Sequence, residues 1–175
     1  MQQVDRDIRL FRSTLETPVG RLELAVDADG TLVELWLPNR SRAVRSPASP
    51  SRLATDGMDA AQAQLREYFA GTRRMFDLAL DPHGTPFERR VWSRLREIPY
   101  GATTSYGAIA QEFGLTNAAR AVGRANGANP IPIIIPCHRV IGADGTLTGF
   151  GGGLPLKRAL LELEGTLAPP DPRLF

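Results

Sequence analysis

Cys137 is the single cysteine of the chain, and Pro136-Cys137-His138-Arg139-Val140 is the run whose residue types could do covalent chemistry. A thiol becomes a nucleophile when a neighbouring base or positive field favours the thiolate. His138 and Arg139 are the side chains that would supply both. Neighbours in an extended chain point to opposite sides. His138 would therefore act on Cys137 across a turn, or through a water that it deprotonates. The alternative is a small, inert, buried cysteine beside a histidine that satisfies a backbone carbonyl. One cysteine excludes an internal disulfide and a multi-cysteine zinc site. With His83 and His138 as the further soft ligands, no metal and no cofactor is expected.

The elements that must present Cys137 follow from the flanking residues. Asn126-Gly127-Ala128-Asn129-Pro130 reads as a turn, followed by the apolar Ile131-Pro132-Ile133-Ile134-Ile135-Pro136. Prolines at 130, 132 and 136 exclude a helix and a central sheet strand, so an extended, buried segment is expected to deliver Cys137. Thr85 before Pro86 is an N-cap with proline at the first helical position. That helix runs through Phe87, Val91, Trp92 and Leu95 to about Ile98 and ends at Pro99-Tyr100-Gly101. A second helix, Ser105 to Phe113, carries Tyr106, Ile109, Ala110 and Phe113 on one face. Gly114 closes it, and Asn117 is placed to cap a third helix through about Ala125. Helix, short glycine-containing turn, helix is the helix-turn-helix pattern. Residues 142–153 form a glycine-rich loop, and Leu156 to Glu164 a last amphipathic helix with Gly165 beyond it.

The first half reads differently. Residues 8–15, 20–27 and 31–37 are three short strands, with Leu22, Leu24 and Val26 alternating and Asp29-Gly30 as a hairpin turn. Residues 39–57, rich in Ser, Pro and Arg, read as an exposed loop. Met58, Ala61, Leu65 and Phe69 mark a helix over 58–70, and Met75 to Leu80 reads as another strand. The fold class is therefore α+β. A small N-terminal domain over 1–80, a short antiparallel sheet plus helix, precedes a linker at Asp81-Pro82-His83-Gly84. A mainly helical C-terminal domain over 84–175 then carries a winged-helix-like helix-turn-helix.

At 175 residues, 42% hydrophobic and 23% charged, the chain has material for a real core and is neither disordered nor fibrous. No apolar run approaches the ~20 residues of a membrane span. The polar start lacks a secretory stretch, so a cytoplasmic protein is expected. Lys and Arg number 21 against 19 Asp and Glu. Within that balance, Asn117 to Val140 holds Arg120, Arg124 and Arg139 and no acid. Such a block can meet phosphate, although a solvated basic face accounts for the charge equally well.

The run from Asn129 to Gly142 closely resembles the active-site segment of the O6-alkylguanine-DNA alkyltransferases, the methylated-DNA–protein-cysteine methyltransferases. The resemblance spans most of residues 85–165. It includes Pro99-Tyr100-Gly101 with Thr104-Ser105-Tyr106, Ala119-Arg120-Ala121-Val122-Gly123, Gly149-Phe150-Gly151-Gly152-Gly153 and Leu161-Glu162-Leu163-Glu164-Gly165.

That resemblance implies a DNA repair protein in which Cys137 takes the alkyl group from O6 of guanine. His138 would act on the thiol through water, Glu164 would hold His138, and Asn129 would brace the active-site turn. Tyr106 would stand near N3 of the lesion and donate a proton. Arg120 would fill the gap left by the flipped nucleotide. The DNA-facing set would be Arg120, Ala121, Gly123, Arg124, Thr104 and Ser105. The base pocket would comprise Tyr106, Val140 (through its carbonyl), Phe150, Gly151 and Gly152. The implied partner is double-stranded DNA containing O6-alkylguanine, with no membrane and no obligate protein partner, the protein acting as a monomer. O4-methylthymine would be a weaker substrate. A thioether has no good leaving group at neutral pH, so each molecule would react once. Some relatives carry serine where this chain has Gly151, and tyrosine where it has Phe150. Others hold zinc in the N-terminal domain through ligands that this chain lacks. The competing readings are a non-catalytic module that recognises alkylated DNA, a regulator, and a cysteine hydrolase.

Overall fold

The computed structural model describes residues 10–38 and 52–168. Strands β1 (Phe11–Thr17), β2 (Gly20–Val26) and β3 (Leu32–Trp36) form an antiparallel sheet in the order β1-β2-β3. In the β2–β3 turn, Asp27 Oδ1 accepts from the backbone N–H groups of Asp29 and Thr31, and Gly30 takes a φ of +83°. Helix α1 (Arg52–Phe69) covers the sheet with Ala54, Met58, Ala61, Leu65 and Tyr68, the three- and four-residue spacing of one helical face.

Helix α1 starts six residues before the expected Met58, inside the stretch read as loop. Gly57 lies within it because the β2–β3 turn rests there: a Cβ on Gly57 would stand 2.1 Å from the Gly30 carbonyl oxygen. That glycine lets the turn and the helix touch. The remainder of that expected loop, with Arg40, Arg42 and Arg45, lies outside the described residues.

The strand expected over Met75 to Leu80 does not form. Leu32 N–H donates to the Ala79 carbonyl and Asp81 N–H to the Leu32 carbonyl, and Leu32 and Leu80 make a single parallel bridge. Further along β3, Leu35 N–H instead donates to the Pro130 carbonyl at 2.8 Å. The same edge serves two segments, so neither has room to extend as a strand.

Helix α2 (Pro86–Arg96) begins with the expected Thr85 cap, completed by Glu88 into a capping box. Trp92 Nε1 donates to the Ala125 carbonyl at 2.8 Å and pins α2 to the helix-turn-helix. After strand β4 (Thr104–Ser105) come α3 (Tyr106–Glu112), whose N-terminus Ser105 caps, and α4 (Ala119–Gly127). Asn117 does not cap α4. It sits at a φ of +56°, and the N-cap position falls to Ala118, which has no side-chain acceptor.

The chain closes with a 3₁₀ turn at Cys137–Arg139, strand β5 (Val140–Ile141) and α5 (Leu154–Leu163). β5 pairs in parallel with β4, which brings Thr104 opposite Val140 and Ser105 opposite Ile141. No helix among the described residues is long and apolar enough to cross a membrane.

Candidate active site

The segment before Cys137 is folded back rather than extended. Ile135 N–H donates to the Ile131 carbonyl at 2.9 Å, and Cys137 N–H to the Ile135 carbonyl at 2.8 Å. Prolines withhold the donors that a strand ladder needs, so the chain satisfies its remaining groups within a compact turn. The turn requires Ile133 at a φ of +74°. A β-branched residue there carries strain of roughly 1–3 kcal/mol, held in place by its surroundings. Asn129 fastens the turn: Nδ2 donates to the Ile135 carbonyl at 2.7 Å, and Oδ1 accepts from Ile131 N–H at 3.0 Å.

Successive residues of a 3₁₀ turn diverge by about a third of a circle. Cys137 lines a cavity of about 400 Å³ with Tyr106, Gly123, Asn126, Asn129 and the loop from Thr148 to Gly151. His138, fully buried, goes instead to Glu164, with Nε2 2.8 Å from Oε1. The carboxylate must accept, so Nε2 carries the proton and Nδ1 is the basic nitrogen. Nδ1 is buried and has no hydrogen-bond partner among the described residues. Asn126 Nδ2 donates to the Cys137 carbonyl at 3.3 Å and steadies the turn from α4.

Burial pushes the Cys137 thiol up to about 11, opposed by the Asn129 hydrogen bond and the charge of Lys157. Burial likewise lowers the His138 imidazole, against the pull of Glu164, so the ring rests neutral. Burial alone would raise Glu164, but the His138 and Arg139 donors hold it at about 2. The arrangement is a neutral thiol, a neutral base and a fixed carboxylate.

Arg139 does not supply the positive field expected beside the thiol. Its Nε and Nη2 donate to the two Glu164 oxygens at 2.8 and 2.9 Å, and Nη1 donates to the Ile98 carbonyl at 2.6 Å. The guanidinium neutralises Glu164, which would otherwise be a buried bare charge.

Of the expected pocket, Tyr106, Phe150 and Gly151 line the cavity and Gly152 and Val140 stand outside its lining. Gly152 packs behind it, where a Cβ would reach within 2.4 Å of Leu156 and 3.0 Å of Leu37. Val140 is fully buried, and its carbonyl accepts from Lys157 Nζ at 2.6 Å. Tyr106 hydroxyl donates to the Thr148 carbonyl at 3.3 Å.

On the outer face, Arg120 and Arg124 are exposed one turn apart on α4, while Ala121 and Gly123 are half-buried between them. Thr104 and Ser105 lie half-buried in β4, with the Ser105 hydroxyl engaged as the α3 cap.

Two buried residues near the site gave no local signal in the sequence. Lys157 lies within α5, and Nζ bridges the Val140 and Thr148 carbonyls at 2.6 Å each. Burial brings it down to about 8. Tyr68 of α1 donates its hydroxyl to Glu164 Oε1 at 2.7 Å, across 96 residues of sequence. Among the described residues, no group of three or more His, Cys, Asp and Glu could hold a metal ion.

Residues 86–166 match the family described as 6-O-methylguanine DNA methyltransferase, DNA binding domain, and residues 10–82 match its ribonuclease-like domain. The methylated-DNA–protein-cysteine methyltransferase of Mycobacterium bovis is 51% identical over 162 residues, covering 93% of this chain and 96% of that protein. The protein of that name from Methanosarcina acetivorans is 44% identical, covering 90% and 99%. Mycobacterium tuberculosis OGT in complex with DNA matches in structure with a TM-score of 0.79 at 50% identity, covering 91% of this chain and 96% of that one. With both parts of the chain matched and the likeness running along nearly all of it, the chain belongs to the 6-O-methylguanine DNA methyltransferase family.

Proposed function

We propose that this protein repairs duplex DNA by moving the alkyl (methyl) group from O6 of guanine to Cys137. The observation that carries this reading is the cavity against Cys137, with a neutral imidazole in the same turn whose free Nδ1 is held basic by Glu164. A base stacked in a duplex cannot reach a buried thiol, so the nucleotide must be flipped out, at a cost of a few kcal/mol. Arg120, exposed in the first turn of α4, would fill the vacancy, with Arg124 one turn on against phosphate. Ala121 and Gly123 are small enough to let that helix approach the minor groove closely. Reading there is poor in sequence detail, which suits a search for lesions in any context.

Within the cavity, His138 Nδ1 takes the Cys137 proton through a water. The thiolate attacks the alkyl carbon, the sulfur–carbon bond forms and the carbon–oxygen bond breaks, and its electron pair passes to the guanine. Tyr106 hydroxyl would exchange its Thr148 partner for N3 of the base and hand over the proton that guanine needs. The Val140 carbonyl, held by Lys157 and outside the cavity lining, would meet the exocyclic amine with its second lone pair only if the wall shifted. The thioether product has no route back, so each molecule is consumed. An alkylated O4 of thymine fits the same chemistry less well.

The test reads the DNA. A duplex with one O6-methylguanine is incubated with increasing protein, digested, and its nucleosides separated. Guanine restored at one lesion per protein molecule, and no further with time, is the expected result. Lesion DNA that is bound but still methylated would overturn the reading and leave a recognition module.

A further inference from the structure

Glu164 is shared between the two parts of the molecule. Its Oε1 accepts from His138 Nε2 at 2.8 Å, Arg139 Nη2 at 2.9 Å and Tyr68 hydroxyl at 2.7 Å. Its Oε2 accepts from Arg139 Nε at 2.8 Å and Gly101 N–H at 3.2 Å. Of these donors, Tyr68 alone comes from the N-terminal part. Its ring is fixed by Phe69, Phe76 and Tyr100, with centroids 5.3, 5.4 and 6.2 Å away. It is fully buried, so its hydroxyl has no water to turn to and keeps the contact with Glu164.

We propose that Tyr68 is a positioning residue through which the N-terminal sheet and helix set the strength of the Glu164–His138 hydrogen bond. The inference rests on His138 acting as the base. Donors that share one carboxylate oxygen divide its electron density, so each bond is weaker than it would be alone. Removing the Tyr68 hydroxyl leaves Oε1 to His138 and Arg139, strengthens its bond to His138, and makes the imidazole easier to protonate. The other charged or titratable groups near the pair are Arg139 and Cys137 in the turn, Lys157 on α5 and Tyr100 after α2. All of them remain when Tyr68 is changed. Tyr68 itself stays a pure donor, since burial and the Glu164 charge hold its phenol protonated. The N-terminal part would thus bear on the chemistry through Tyr68, apart from the place of its Leu37 in the cavity lining.

The experiment uses Tyr68→Phe in the full chain, which keeps the ring contacts. Methyl transfer to Cys137 is timed in a single turnover from pH 5 to 9. His138 is titrated by NMR without DNA, its signals told from those of His83, the only other histidine. The expected result is an acid limb and a His138 titration both moved up by about 0.5–1 pH unit. That is about a three- to tenfold slower transfer on the acid side, with the rate at high pH unchanged. Replacing Tyr68 with 3-fluorotyrosine, a stronger donor of nearly the same shape, should move both downward and covers the case of a Phe variant that folds poorly. Unchanged titration and unchanged acid limb in both variants would overturn the proposal and reduce Tyr68 to packing. A His138 shift in a protein that never transfers methyl would instead sink the repair reading while the Tyr68 coupling stood.

Discussion

Cys137 stands between two unlike surroundings. Towards the cavity, the wall from Thr148 to Gly151 is glycine-rich and half-buried to exposed, tied down through the Thr148 carbonyl by Lys157 and Tyr106. Behind the turn, Glu164 is 5% exposed and both of its oxygens are occupied by donors from α1, the turn and the loop after α2. The difference follows from what each side must do. A base and its carboxylate need fixed geometry, because proton transfer depends on a few tenths of an ångström. On the proposed function, a wall that admits a flipped base carrying an alkyl group must give way.

If the rear is the rigid side, damage there should cost most. Glu164→Ala strands the 6%-exposed Arg139 guanidinium and is expected to lose about 3–5 kcal/mol in denaturant unfolding. The same carboxylate predicts acid sensitivity. Its folded value of about 2 lies below the ordinary 4.5, so its contribution is full above 4.5 and fades as pH falls towards 2. His138, lowered by burial, adds in the same direction as the unfolded chain takes up its proton first. Denaturation midpoints of Glu164→Gln should therefore fall less steeply between pH 5 and 2 than those of the parent.

Asn129→Ala removes both clasps of the strained turn and should cost about 1–3 kcal/mol, since the Ile131 N–H and Ile135 carbonyl are left buried. Equal stability would mean that Ile133 is held by packing alone. On the cavity side the effect should appear in chemistry rather than folding. Lys157→Met is expected to slow methyl transfer about tenfold, roughly 1.4 kcal/mol, by freeing the Val140 and Thr148 carbonyls. Its unfolding midpoint should change little, because relief of a buried cation offsets the unpaired Val140 carbonyl. A large loss of stability with an unchanged rate would reverse the contrast. Smallest of all, Arg124→Ser should weaken DNA binding a few-fold and reduce the salt slope by about one, with the maximal transfer rate intact.

Much of this was legible beforehand, and the gaps have physical reasons. Local rules placed the Thr85 cap, the Ser105 helix start and the alternation of β2, because each depends on residues a few positions apart. The run around Cys137 pointed to His138 and the family resemblance to Glu164, and the fold brings the two to 2.8 Å. The Ser-, Pro- and Arg-rich composition of 39–57 hid the start of α1, where Gly57 serves a close approach to the β2–β3 turn. The prolines of 130–136 correctly ruled out helix and strand but could not reveal the folded turn, which depends on Asn129 and on strain accepted at Ile133. Tyr68 and Lys157 drew no reading at all. Their partners lie elsewhere in the chain, beyond any periodicity.

The most direct test of the central claim reads the protein: its intact mass after mixing with a duplex carrying one O6-methylguanine, alongside Cys137→Ser. The account predicts the added mass of one methyl group, mapped to Cys137, saturating at one per molecule and missing from the Ser variant. Protein of unchanged mass that still holds the lesion DNA, or a methyl carried by any other residue, would contradict it.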